Sequence, residues 1–132
     1  MKKMILYIAI AIFMVSCSND DTPNGHEPVS KWKLTEILAD PGDGSGTFNP
    51  VLSDKTVTFY SDGIIKSNGN LCEIGTDTTQ GSTGTYTSDT IVPDSCPSEA
   101  SLGISYTIEA SVLIIHYPCI EACAEKYELI EE

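Results

Sequence analysis

Four cysteines and two histidines are the side chains of this chain best suited to chemistry. Cys72, Cys96, Cys119 and Cys123 form an even set, separate from Cys17 near the N-terminus. Four cysteines allow three pairings; joining nearest neighbours along the chain gives Cys72–Cys96 and Cys119–Cys123, and that pairing is the expectation. The competing chemistry is zinc binding, since His116, Cys119 and Cys123 make H-x2-C-x3-C and would supply three ligands. That spacing matches no common structural zinc pattern, and the C-x3-C run is not the C-x-x-C of redox proteins, so a staple is expected and a metal is not. Asp40-Pro-Gly-Asp43-Gly-Ser-Gly invites a calcium reading, yet neither Asp40 nor Asp43 as the first ligand puts carboxylates at positions 3 and 5. A turn is expected there. Nucleophilic catalysis needs a base, and only His26 and His116 are candidates. His26 lies in a polar N-terminal stretch and His116 on an apolar strand. No G-x-S-x-G, H-E-x-x-H or Walker pattern occurs. Nineteen acids offer so many carboxylate pairs that no pair is diagnostic. No catalytic residue, no cofactor and no enzymatic activity are expected.

Cys17 has a different setting. It ends the run MKKMILYIAIAIFMVSC, in which Lys2 and Lys3 precede an uncharged apolar segment over residues 4–15. A spanning helix needs roughly 20 apolar residues, so this short run reads as an export signal. Val15-Ser16-Cys17 resembles a lipobox, whose cysteine is lipidated before cleavage. The expected division is a signal peptide over 1–16, the lipidated Cys17 with a flexible tether over 17–28, and one folded domain over 29–132. The tether contains Asp20-Asp21, which resembles the acidic signal on Bacteroidetes lipoproteins sent to the cell surface. The expected location is therefore the outer membrane, held by lipid, with the cell surface as its outward face. An exported chain also favours oxidised cysteines.

The formal net charge is −12. Removing residues 1–16 takes Lys2 and Lys3 and no acid, leaving five lysines against nineteen acids and a charge of −14. There is no arginine. Nucleic-acid binding is excluded as an expectation, because phosphate neutralisation needs clustered cations. Contact of the protein itself with anionic lipid is disfavoured for the same reason.

The domain must position these residues on strands. Residues 30–38 alternate at first, with Trp32 and Leu34 on one face. In residues 55–60 Val57 and Phe59 share a face, opposite Thr56 and Thr58. Ser61-Asp62-Gly63 is a hairpin turn with Gly63 at positive φ, and residues 64–67 return. Residues 83–92 read as one strand ending at Pro93. Leu102, Ile104, Tyr106 and Ile108 alternate strictly, and Glu109-Ala110-Ser111 turns into an apolar strand over 112–117. Residues 125–130 make a last strand, and residues 121–126 form one helical turn at most. Seven or eight short strands joined by tight turns predict an all-β antiparallel meander closed into a small barrel.

The run Ser30-Lys31-Trp32-Lys33-Leu34 resembles the tryptophan-bearing first strand of the lipocalin-like lipoproteins of Bacteroidetes. DPGDGSGTF at 40–48, TFYSDG at 58–63 and CIEACAEKY at 119–127 are similar to that group as well. The resemblance implies a lipocalin-like barrel on a lipid anchor and transfers no catalytic residue. It further implies an apolar or amphipathic small-molecule ligand in the barrel mouth, with no ligand-binding residue singled out. The alternative expectation is a protein-interaction or envelope-structural module with no ligand cavity, its protein partner unknown.

Overall fold

The computed structural model describes residues 26–97 and 103–132. Cys17, Asp20, Asp21 and Leu102 lie outside the described residues. Nine strands form one antiparallel sheet: β1 (Pro28–Ala39), β2 (Phe48–Pro50), β3 (Thr56–Tyr60), β4 (Ile64–Ser67), β5 (Ser82–Tyr86), β6 (Thr90–Pro93), β7 (Ile104–Glu109), β8 (Val112–His116) and β9 (Cys123–Glu131). Each strand from β3 to β8 pairs with the next, and β9 pairs back onto β1 over residues 31–39. The sheet is thus a closed, lipocalin-like meander barrel of eight positions, with no helix among the described residues.

The ninth strand arises from an interruption. β2 and β3 lie end to end on the same edge of β1, opposite residues 36–38 and 28–33 respectively. The Val51 N–H donates to the Thr35 carbonyl and the Leu34 N–H to the Lys55 carbonyl. Residues 52–54 therefore loop out of one strand, and the ladder resumes at Lys55. A second irregularity between Leu34 and Glu36 on β1 shifts its pairing to β9. Such bulges change which way the following side chains point, and Ile37 joins Trp32 and Leu34 against the core.

Alternation fills the interior. Trp32, Leu34, Val57, Phe59, Ile65, Ile91, Ile104, Leu113, Ile115 and Tyr127 are all buried in one cluster. The Trp32 indole N–H donates to Ser30 Oγ at 2.9 Å, which satisfies the one polar atom of that side chain. Phe59 stands edge-on to Tyr86 with centroids 4.8 Å apart and tilts against Tyr106 at 5.4 Å. The hydroxyls of Tyr86 and Tyr106 donate to the carbonyls of Tyr60 and Thr87, so this aromatic group also ties down two turns.

The two ends of the barrel differ. Short turns at 61–63, 87–89 and 110–111 close one end, and Gly63 takes φ +82° as its turn requires. The described chain enters and leaves at this hairpin end, at His26 and Glu132. The other end carries the long connections 40–47, 68–81 and 117–122, the segment that follows Pro93, and the short excursion 52–54.

Two expected elements differ from those observed. Residues 83–92 are two strands, because Thr87-Ser88-Asp89 turns, with the Thr87 N–H donating to the Thr90 carbonyl at 2.9 Å. The last strand, expected from residue 125, already starts at Cys123, which pairs with Ala39 of β1, and residues 121–126, allowed one helical turn at most, form none. The β1–β9 ladder offers those backbone groups partners that a single helical turn could not.

Candidate functional site

The loop end gathers the buried charged side chains of the described domain. Lys55 sits immediately before β3, two residues before Val57 and four before Phe59, and so inherits their inward direction. Glu125 sits on β9 between Cys123 and Tyr127, which also point inward. Their side chains are 1% and 0% exposed. Lys55 Nζ donates to Glu125 Oε1 at 2.8 Å and Oε2 at 3.1 Å, and to the Gly75 carbonyl at 3.2 Å. Glu125 Oε1 also accepts the Gly75 N–H at 2.8 Å. Glu125 Oε2 accepts the hydroxyls of Tyr117 and Tyr127 at 2.7 and 2.5 Å.

Burying an ion pair costs several kcal/mol per charge, and the attraction offsets this only when the remaining donors and acceptors are used. Here they are. Both carboxylate oxygens have several donors and the ammonium has three acceptors. No buried side-chain polar atom among the described residues lacks a partner. Burial, then the Glu125 charge, pushes the Tyr117 phenol well above its usual range. Burial does the same to Tyr127, reinforced by Tyr117 and Glu125.

The cluster holds a plug. Residues 68–81 fold across the mouth with Leu71 fully buried in the core. Gly75 is gripped at both its N–H and its carbonyl by Glu125 and Lys55. Ser82 Oγ accepts the Leu71 N–H at 2.9 Å and donates to the Gly69 carbonyl at 2.7 Å. A Cβ on Gly69 would meet the Asp77 carbonyl oxygen at 2.5 Å and Lys55 Cγ at 3.0 Å, so only glycine lets the loop close this tightly over the lysine stem. The Cys72–Cys96 disulfide, Cα–Cα 5.4 Å, fastens the same loop to the segment after β6.

Cys119 and Cys123 form the second disulfide, Cα–Cα 6.0 Å. Both expected pairings are present, and the H-x2-C-x3-C zinc reading loses its two thiolates. His116 is exposed on β8, opposite Ala124. No cluster of three or more metal-ligating side chains occurs among the described residues. The Asp40 loop is a turn held by its own carboxylate. Asp40 Oδ1 accepts the N–H groups of Gly42, Asp43 and Gly44, and Oδ2 accepts that of Gly46. These donors, Gly46 and Gly42 foremost, hold its carboxyl below the usual value and occupy the oxygens a calcium ion would need. His26 meets Asp62 across 2.5 Å at the hairpin end, far along the strands from His116. The two histidines thus share no site.

Sequence reasoning missed Lys55, Glu125, Tyr117 and Tyr127 as a group. The signal was present: the alternation that turns Val57 and Phe59 inward also turns Lys55 inward, and the one that buries Cys123 and Tyr127 buries Glu125. A charge at an inward position calls for a partner of opposite charge.

No protein-family model, curated protein or solved structure matches this chain.

Replacing Lys55 by Met should cost about 3–5 kcal/mol, because it strands the Glu125 charge; the urea midpoint measures it. Alkaline pH should unfold the protein cooperatively. The two buried phenols ionise more readily in the unfolded chain, so the stability they confer below about pH 10 is lost as pH rises. Ultraviolet titration should show Tyr117 and Tyr127 ionising only together with loss of fold.

Proposed function

We propose that this protein is a lipid-anchored envelope protein that acts through the outer surface of a solid barrel, as a protein-interaction or envelope-structural module. The observation that carries this reading is the filled interior. Trp32, Leu34, Val57, Phe59, Ile104 and Tyr106, the residues that would line a ligand cavity, are all buried against one another. The aromatic group fills the hairpin end and residues 68–81 plug the loop end.

Among the described residues, clefts of about 160–440 Å³ are formed by rims and loops and open to solvent. The one beside the Cys72–Cys96 disulfide, about 440 Å³, is lined by Asn70, Gln80, Ser82, Thr83, Asp94 and Ser95 with Cys72, Pro93 and Pro97, a set in which polar side chains outnumber apolar ones and which suits an apolar guest poorly. An apolar ligand held in the barrel mouth is thus the weaker reading.

The anchor reading rests on Lys2, Lys3, the apolar run and the lipobox-like Val15-Ser16-Cys17. It sets where the tether joins the barrel. The chain enters at the hairpin end, where the His26 side chain meets Asp62 and the Ser61 N–H donates to the Glu27 carbonyl. Residues 18–25 reach at most ~30 Å when extended. On this reading the tether joins the barrel at its hairpin end, opposite the disulfide-stapled loop end.

The Cys17→Ala variant of the full chain tests both halves of the reading. It should leave the membrane fraction, and the released protein should give a bare, oxidised mass in native mass spectrometry. Persistent membrane attachment would remove the lipid anchor. An added mass that disappears on denaturation would remove the solid-barrel reading in favour of a carrier.

A further inference from the structure

The polar cleft of about 440 Å³ beside the Cys72–Cys96 disulfide lies between residues 70–83 and the segment after β6. Its volume is within the range of about 300–1,000 Å³ usual for small-molecule sites. Gly84 of β5 is buried, so its neighbour Thr83 faces outward, into this cleft and away from the core. Asp94 follows β6 directly, and its N–H donates to the Thr83 carbonyl at 2.9 Å. Thr83 and Asp94 therefore stand side by side on the outside of the barrel wall.

The protein's own bonds hold the lining in place. The disulfide joins the two walls. The Thr83 hydroxyl donates to the Asp94 carboxylate, which orients both side chains. Asn70 Oδ1 accepts the Cys72 N–H at 2.8 Å, and Asn70 Nδ2 donates to Glu73 Oε1 at 3.1 Å. Groups oriented in advance lose little freedom when they meet a guest, which favours association.

The lining selects the chemistry of that guest. Asn70, Gln80, Thr83 and Ser95 are uncharged and carry both donors and acceptors, and Asp94 adds one carboxylate. Among the described residues no cation lines the cleft, so a phosphate or sulfate would meet no counter-charge there. No aromatic or long aliphatic side chain lines it either. A neutral molecule rich in hydroxyls does match, because each hydroxyl both donates and accepts. Pro97 and the disulfide offer an apolar surface to its C–H faces. Asn70 and Gln80 also line an adjoining cleft of about 160 Å³, so the polar surface continues beyond the first.

We propose that this cleft binds a neutral saccharide, with Asp94 and Gln80 as its principal polar contacts. The Asp94 carboxylate has acceptor capacity beyond the Thr83 hydroxyl and takes two adjacent saccharide hydroxyls. The Gln80 amide, on the wall shared by both clefts, donates to and accepts from the next ring. The site lies outside the filled interior, so the inference goes beyond the surface-acting reading and leaves it intact.

Amide NMR titration of the Cys17→Ala variant of the full chain tests the assignment. The probes are linear tetrasaccharides of glucose, mannose, galactose and N-acetylglucosamine, with tetragalacturonate as the anionic contrast. At least one neutral probe should shift the amides of Gly81, Thr83, Asp94 and Ser95 at millimolar concentration and leave those of Leu113 and Ile115 in place. Tetragalacturonate should shift none of them. Gln80→Ala and Asp94→Ala should each weaken the binding at least tenfold, and Gln80→Ala should leave the thermal midpoint unchanged. No shift from any neutral probe overturns the proposal. So does an equal response to tetragalacturonate, or binding indifferent to both variants. Each of these results spares a barrel that acts through its surface. Shifts centred on Leu113 and Ile115 would overturn both readings, since the guest would then sit inside the barrel.

Discussion

The buried contact between Lys55 and Glu125 is the interaction on which the loop end depends. It joins β3 to β9, on opposite sides of β1, and takes in the backbone of Gly75 from a segment without strand structure. Three parts of the chain, distant in sequence, are thereby fixed to one carboxylate. Such a pair earns its place only when complete. Every position around the carboxylate is filled, by an ammonium, a backbone N–H and two phenols, and losing any member leaves a charge or a donor in a dry interior. This explains why two tyrosines and a glycine accompany the ion pair.

With the mouth sealed, the contrast between the two ends sets what the barrel can do. The hairpin end is economical: three tight turns, tyrosine hydroxyls on turn carbonyls, and the described ends of the chain. The loop end carries both disulfides, the interrupted strand and the long connections. A small domain has limited core stability to spare for holding loops in place, and a disulfide adds roughly 2–4 kcal/mol by restricting the unfolded chain. Both covalent staples lie where the sheet cannot order the backbone by itself. Loops stapled over a filled interior support the proposed reading of a barrel that acts through its surface.

Much of the architecture was legible in the sequence because strand alternation is a local signal. Val57 with Phe59 and Ile104 with Tyr106 could be placed facing inward without knowing their partners. Gly63 announced its turn, and the cysteine pairs followed from proximity along the chain. The failures share a cause. The looping out of residues 52–54 is decided by the ladder to β1, a partner distant in sequence. The turn at Thr87-Ser88-Asp89 carries no glycine and was hidden inside a run of strand-forming residues. The polar cluster required knowing that Lys55 and Glu125, 70 residues apart, meet at one level of a closed barrel. Each strand reported its own inward face, and only closure revealed that two charges answered one another.

Native-state amide exchange at Gly75 tests the latch most directly. Gly75 lies in a connecting loop, where amides ordinarily exchange within local fluctuations. Latched to the buried carboxylate, its N–H should exchange only with global unfolding, as slowly as the amides of Leu34 and Val57 in the core strands. Exchange of Gly75 orders of magnitude faster than those strand amides would mean that the plug opens while the barrel stays folded, and the sealed-mouth account would fail.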